Sequence, residues 1–460
     1  MLFNSYIFIF CFLPVAVTLY FLFATRSHRL ANVFLAIASL FFYAYWKFEY
    51  LPILLSSVIV NYIFGRVILE QTSKRIKCTW LVVVAILFNV FLLGYYKYAD
   101  FAIFNINAVF STEIEFRNIL LPLAISFFTF QQIAYIVDCS RGEVKDKSFY
   151  DYILFITFFP QLIAGPIVHH SEMMPQFADN TQKKVNLKNV ASGIFIFAIG
   201  LAKKVVVADA LSPYVSNIFD VASVLTCADA WSGSLAYTMQ LYFDFSGYCD
   251  MAIGIALMFN IRLPINFYSP YKATNIQEFW RCWHMTLSRF FMEYIYIPLG
   301  GNRKGNCKTY LNLFTVFVIG GIWHGAAWTF VVWGIMHGLA IVVHRIWRFY
   351  GVRMWTPCAW FLTFMFVNVA WVFFRAQSFG DALKVLRAMF DFNLSGWSAG
   401  FIYPKIILFV ALLISFFFAN GISRLEKFKP DLKSFIFVSI LLVLSFAQLS
   451  KHSEFLYFNF

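Results

Sequence analysis

EFWRCWHMTLSRFFMEYIYIPLGG, residues 278–301, runs through a short basic gap into an apolar segment that carries GIWHGAAW at residues 321–328. His284 and His324 each follow a tryptophan in a sequence otherwise rich in aromatic and aliphatic side chains. An imidazole in such company needs a hydrogen-bond partner or a chemical task, because burying an unpaired polar group is costly. The borders around His324 suggest its setting. Residues 309–343 are apolar, yet Lys308 precedes them and His344, Arg345 and Arg348 follow, so both ends read as cytoplasmic. Two crossings must then fit into 35 residues. Each arm has about 16 to 17 residues, roughly 25 Å at about 1.5 Å per residue, slightly short of a hydrocarbon core of about 30 Å. The bend falls near GGIWHG, which puts Trp323 and His324 at depth beside Gly320, Gly321 and Gly325. Glycines there allow backbones to approach closely or a helix to break.

Upstream, residues 260–308 are basic and punctuated, with Arg262, Lys272, Arg281, Arg289, Arg303 and Lys304, and belong on the cytoplasmic side. Thr274 followed by Gln277 is a capping-box pattern, so a helix is expected from about Asn275. Projected at the helical angle, Trp280, Trp283, Leu287, Phe290, Phe291 and Tyr294 share one arc, while Glu278, Arg281, Arg289 and Glu293 share another. His284 falls where the arcs meet, near Ser288, as a partly buried imidazole with a wet edge.

Composition assigns the class. The 460 residues are 61% hydrophobic and 13% charged, against roughly half and a quarter in soluble domains. The chain therefore reads as an all-α, polytopic integral membrane protein, one membrane-embedded domain spanning residues 1–460. It should have about 11 or more spans plus re-entrant or interfacial helices. Its formal charge of +13 sits in short gaps between apolar runs, which is the positive-inside pattern of a protein in a lipid bilayer and not a nucleic-acid surface. The eight cysteines show no metal-ligand spacing and read as small apolar residues. The first 23 residues lack a basic leader and a small-residue cleavage site, so they are read as a retained span.

Candidate spans fall at about 3–23, 30–46, 51–65 and 79–97. Arg66, Lys74, Arg75 and Lys77 put residues 66–78 in the cytoplasm and the N-terminus outside. Segments 120–138 and 150–168 are interrupted by Pro160, Gly165 and Pro166 and seeded with Gln131, Gln132 and Gln161, a pattern tolerated where protein or a water-filled cavity surrounds it. A run at about 187–208 ends in Lys203 and Lys204, and 230–258 contains Asp244 and Asp250. Intramembrane acids either line a functional path or pair with a buried Lys or Arg, and the sequence leaves both open. Later spans are expected at 355–374, 403–420 and 435–450, with residues 421–434 inside and the C-terminus outside. Residues 380–393 form a short amphipathic segment at the outer interface.

Histidine suits general acid–base work because its ordinary pKa lies near neutrality. Metal ligation finds no support: Cys282 and His284 point to different sides of a helix, and His337 and His344 share a face without a third ligand. His169 and His170 read as loop residues.

The runs QEFWRCWHMTLSRFFMEYIYIPLGGN and GGIWHGAAWTFVVWGIMHG, with SFFTFQQIAYIVDCSRG, FFPQLIAGPIV and YFDFSGYCDMAIGIAL, resemble the membrane-bound O-acyltransferase superfamily, in its bacterial alginate O-acetylation branch. The resemblance is weakest after about residue 380. It implies a multi-helix fold enclosing a tunnel that meets a cytoplasmic funnel, and it makes His324 the catalytic histidine and His284 the family's second histidine. It also implies acetyl-CoA as donor substrate with no tightly bound cofactor or metal. The acetyl group would be passed across the bacterial inner membrane to a periplasmic acetyltransferase partner that modifies a polysaccharide such as alginate. A related branch loads D-alanine onto teichoic acids. Within that expectation Asp244, Trp280, Arg281, Trp283 and Trp323 are candidates to bind the donor or line its path, and Lys272, Arg289, Arg303 and Lys304 to dock its phosphates. Peptidoglycan or a lipid-linked sugar remain as other acceptors, and a polysaccharide transporter or a non-catalytic scaffold as other functions.

Overall fold

The computed structural model describes residues 1–145, 148–179, 183–391, 400–449 and 455–456. Among them the secondary structure is entirely helical. Five helices are long and apolar enough to cross a membrane, Phe48–Ser73, Thr79–Phe110, Leu187–Val221, Trp328–Phe349 and Thr356–Arg375, and shorter apolar helices cover Phe8–Ala24, His28–Ala44, Ile402–Phe417 and Leu432–Phe446. Several run beyond the expected limits. Leu51–Ser73 continues past residue 65 and the fourth reaches Phe110, because a helix does not stop where hydrophobicity stops unless a cap or breaker intervenes. Residues 392–393 of the amphipathic segment, residue 450 of the last span and the final four residues lie outside the described residues.

The chain divides into two compact units, Met1–Phe197 with Met251–Pro264, and Ala198–Asp250 with Ile265–Phe460. In the first, polar residues at helical depth find protein partners. Asn61 and Asn89 exchange side-chain hydrogen bonds of 3.1 and 2.6 Å between neighbouring helices. Gln132 Nε2 donates to Ser57 Oγ at 3.0 Å, and Gln161 Nε2 to the Phe155 carbonyl at 2.7 Å. The interruption expected from Pro160 is present, with helices Phe149–Thr157 and Phe159–Leu162 meeting at Phe158. His170 is not a loop residue but opens the helix His170–Ala178, which His169, at the end of the preceding loop, caps in a capping box with Glu172; both are buried.

The second unit is built around a helical hairpin, Gly305–His324 and Trp328–Phe349. Its arms are longer than expected, because Lys308 and His344 lie inside the helices and not at their ends. The bend lies at residues 325–327, beginning at the last glycine of GGIWHG. A Cβ on Gly334 would lie 2.5 Å from the Phe317 carbonyl oxygen and 3.1 Å from the Gly321 Cα, so the arms cross backbone against backbone. Beyond the hairpin, Thr356–Arg375 packs along it, and the amphipathic helix Phe379–Phe390 buries Ala382, Val385 and Met389.

Lys203 and Lys204 do not end a span. They open a π-helical stretch, Lys203–Ala208, within a helix that continues to Val221. Lys204 Nζ lies 2.7 Å from Asp244 and 2.8 Å from Asp209, and Lys203 Nζ lies 2.6 Å from Asp250. Buried charges persist when they neutralise one another in this way.

Candidate active site

His324 is the last residue of the first hairpin arm and is 3% exposed. Trp323, Trp333 and Phe374 surround its ring at centroid distances of 4.9, 5.1 and 5.1 Å. The glycine crossing brings the second arm close enough for Trp333 to reach it.

The helix expected from Asn275 to about residue 294 is broken in the middle. Ile276–Cys282 is capped by Asn275, whose Oδ1 accepts from the Glu278 amide at 2.9 Å, while Glu278 Oε2 accepts from the Thr274 amide at 2.8 Å. The box therefore uses Asn275 and Glu278, where the sequence pattern suggested Thr274 and Gln277. After Cys282 the chain extends at Trp283, and His284 adopts a left-handed conformation with φ +44° before Met285–Phe291 resumes the helix. A non-glycine residue held there marks a place where surrounding contacts override local preference.

Those contacts come from Asn266. Its Oδ1 accepts from Thr286 N at 3.2 Å, from Thr286 Oγ1 at 2.9 Å and from His284 Nδ1 at 3.1 Å. An amide oxygen only accepts, so His284 Nδ1 carries the proton and Nε2 the lone pair. His284 is completely buried, edge-on to Phe245 at 4.8 Å, and has no wet edge. The single-helix projection misplaced it because the break rotates everything after Trp283. Burial lowers its pKa to about 3, so the ring is neutral near pH 7.

A cavity of about 320 Å³ runs inward from exposed Arg281 and half-buried Arg345 to His324. Gln277 lies at its polar end, and Trp280, Phe317 and Trp333 form its aromatic walls. Of the sequence candidates, the structure brings His324, Trp280 and Arg281 together on this surface. Trp323 stands behind it between the two histidines, 4.9 Å from His324 and 6.4 Å from His284. His284 itself does not line the cavity. Trp283 is core, stacked on Phe279 at 5.6 Å and against Trp371 at 5.0 Å. Asp244 lies in the Lys204 ion cluster, where Oδ2 also accepts from the Leu456 amide at 3.1 Å, and not on the cavity wall. Lys272 donates to the Phe418 carbonyl, also off the wall. Among the described residues no cluster of His, Cys, Asp or Glu is placed to hold a metal.

Arg345 was missed because its charge read as a membrane border. Its spacing carried a signal, since Trp333, His337, Ile341 and Arg345 recur every four residues on one helical face. Asn266 left no local signal. Its partners lie about twenty residues away.

Residues 139–380, which hold both histidines, match the membrane-bound O-acyltransferase family. The chain is also 50% identical over 424 residues to a peptidoglycan O-acetyltransferase of Helicobacter pylori, covering 85% of this chain and 80% of that protein. The chain belongs to the membrane-bound O-acyltransferase family. Other relatives align over a similar or smaller extent. Identity is 39% over 403 residues to the probable alginate O-acetylase AlgI of Pseudomonas aeruginosa, covering 85% of this chain and 75% of that protein. It is 26% over 279 residues to a teichoic acid D-alanyltransferase of Bacillus subtilis, covering 57% and 71%. This member is thus a multi-pass membrane O-acetyltransferase.

Proposed function

We propose that this O-acetyltransferase takes its acetyl group from acetyl-CoA at the cytoplasmic face of the bacterial inner membrane and passes it outward for O-acetylation of peptidoglycan. The observation that carries this reading is the cavity from Arg281 and Arg345 to His324. A donor with phosphates at one end and a thioester at the other matches a channel that is cationic at its exposed end and aromatic within. Phosphates do not enter hydrocarbon without great cost, so only the thioester arm passes inward while the guanidinium groups hold the head.

His324 acts as general base. It takes the proton of an acceptor hydroxyl while that oxygen bonds to the acetyl carbon; the carbon–sulfur bond then breaks and the proton passes to the leaving thiolate. A neutral imidazole resting among aromatic rings avoids burying a permanent charge. His284 does not meet the reacting atoms from its buried position. Its place is support, through Trp323, of the wall behind His324.

Peptidoglycan is favoured as acceptor by the higher identity to the Helicobacter pylori enzyme than to the alginate enzymes. A periplasmic acetyltransferase partner receives the acetyl group and delivers it to the polymer. The test is radiolabelled acetyl-CoA supplied to membranes holding the protein and its partner, with peptidoglycan and alginate fractions counted separately. Label in peptidoglycan is expected. Label in alginate alone changes the acceptor, and label no higher than in the His324→Ala control removes acetyl-CoA as donor.

A further inference from the structure

His337 is completely buried, yet it is polar and does not line the cavity. Its ring is packed among Trp333 at 4.8 Å, Phe366 at 5.3 Å and Phe317 at 6.3 Å, surroundings a phenylalanine would fill without a polar atom. What the imidazole adds is one hydrogen bond: Trp280 Nε1 donates to His337 Nδ1 at 3.1 Å. An indole N–H can only donate, so Nδ1 must accept, the ring proton sits on Nε2, and the neutral tautomer is fixed. Trp280 is the residue that needs holding. It is half-buried, sits on the seven-residue helix Ile276–Cys282 just before the break at His284, and forms cavity wall beside Trp333 at 5.7 Å.

We propose that His337 is a positioning residue for the donor: by accepting from the Trp280 indole it fixes that ring as one wall of the channel, and so sets how firmly the donor arm is gripped. This rests on the cavity being the donor channel. It assigns His337 no contact with substrate. Its effect should therefore appear in donor affinity and not in the chemical step.

Acetyl-transfer kinetics with the full chain test it. His337→Leu should raise KM for acetyl-CoA about 3- to 10-fold, the size expected for one lost hydrogen bond, and leave kcat within about twofold. Trp280→Phe should do the same, and the double variant should be no worse than either single, because both remove one interaction. His337→Asn, whose Oδ1 can accept from the indole, should recover most of the loss. Multiplying effects in the double variant, no recovery with Asn, or a loss confined to kcat overturns the proposal. A second readout does not depend on turnover. The ¹⁵N-indole resonance of Trp280, assigned by its disappearance in Trp280→Phe, should shift in His337→Leu and return in His337→Asn, and an unmoved resonance rejects the hydrogen bond. If the wild type transfers nothing from acetyl-CoA, the proposed donor falls, while the resonance still decides whether His337 holds Trp280.

Discussion

Two buried histidines 40 positions apart stand in different surroundings. His324 ends a helix at the inner end of a cavity, whereas His284 is enclosed and tied to Asn266. His324→Ala and His324→Gln should each reduce polymer acetylation by at least about 10²-fold, the low end for loss of a general base. Folded protein should change little. Near-normal acetylation by the Gln variant at matched protein level would leave His324 as a hydrogen-bonding strut. For His284 the prediction concerns pH. Its folded pKa of about 3 lies below its ordinary 6.5, so between those values the unfolded chain binds a proton that the folded chain does not. The stability this group contributes is full above about pH 6.5 and is lost as pH falls toward 3. Thermal midpoints in detergent should therefore drop less between pH 7 and pH 5 for His284→Gln than for the wild type, and equal drops would show that His284 is not held neutral.

At the scale of elements, the hairpin works because glycines meet where its arms cross. Gly334→Leu would place a branched side chain against the Phe317 carbonyl and the Gly321 backbone. It should lower the amount of folded protein and its thermal midpoint, by an overpacking cost of about 1–3 kcal/mol or more. A fully stable, fully active Gly334→Leu would mean that the arms are not in backbone contact. The π-helical stretch Lys203–Ala208 is held differently, by charge. Asp244→Asn leaves Lys204 with one carboxylate in place of two, and removing a partner from a buried pair costs about 3–5 kcal/mol. The expected result is a lower thermal midpoint, with specific activity per folded molecule retained. Loss of activity at unchanged stability would instead put Asp244 on a functional path.

For the whole molecule, the alternation of basic gaps makes one orientation consistent. Reporter fusions at Gln71 and Lys427 should both report the cytoplasm. A periplasmic signal from either would reverse the scheme, and with it the assignment of the Arg281 end of the cavity to the donor side.

How much of this was legible in the sequence depends on whether the deciding forces were local. Runs of apolar residues near 20 long dictate membrane helices whatever they pack against, so the class, the positions of most apolar helices and the hairpin with His324 at its bend could be read directly. The WHG and WRCWH motifs singled out His324 and His284 by resemblance, and of the two only His324 lines the cavity. Sequence periodicity went wrong at His284, because it assumes an unbroken helix, and the break there is imposed by an asparagine 18 positions upstream. Lys203, Lys204 and Arg345 misled for a related reason. A basic residue near the end of an apolar run looks the same whether it faces headgroups, a buried carboxylate or a cavity. Asn266, the ion cluster and the Trp280–His337 pair are contacts between distant parts of the chain, and only the packed tertiary structure decides which distant polar atoms meet.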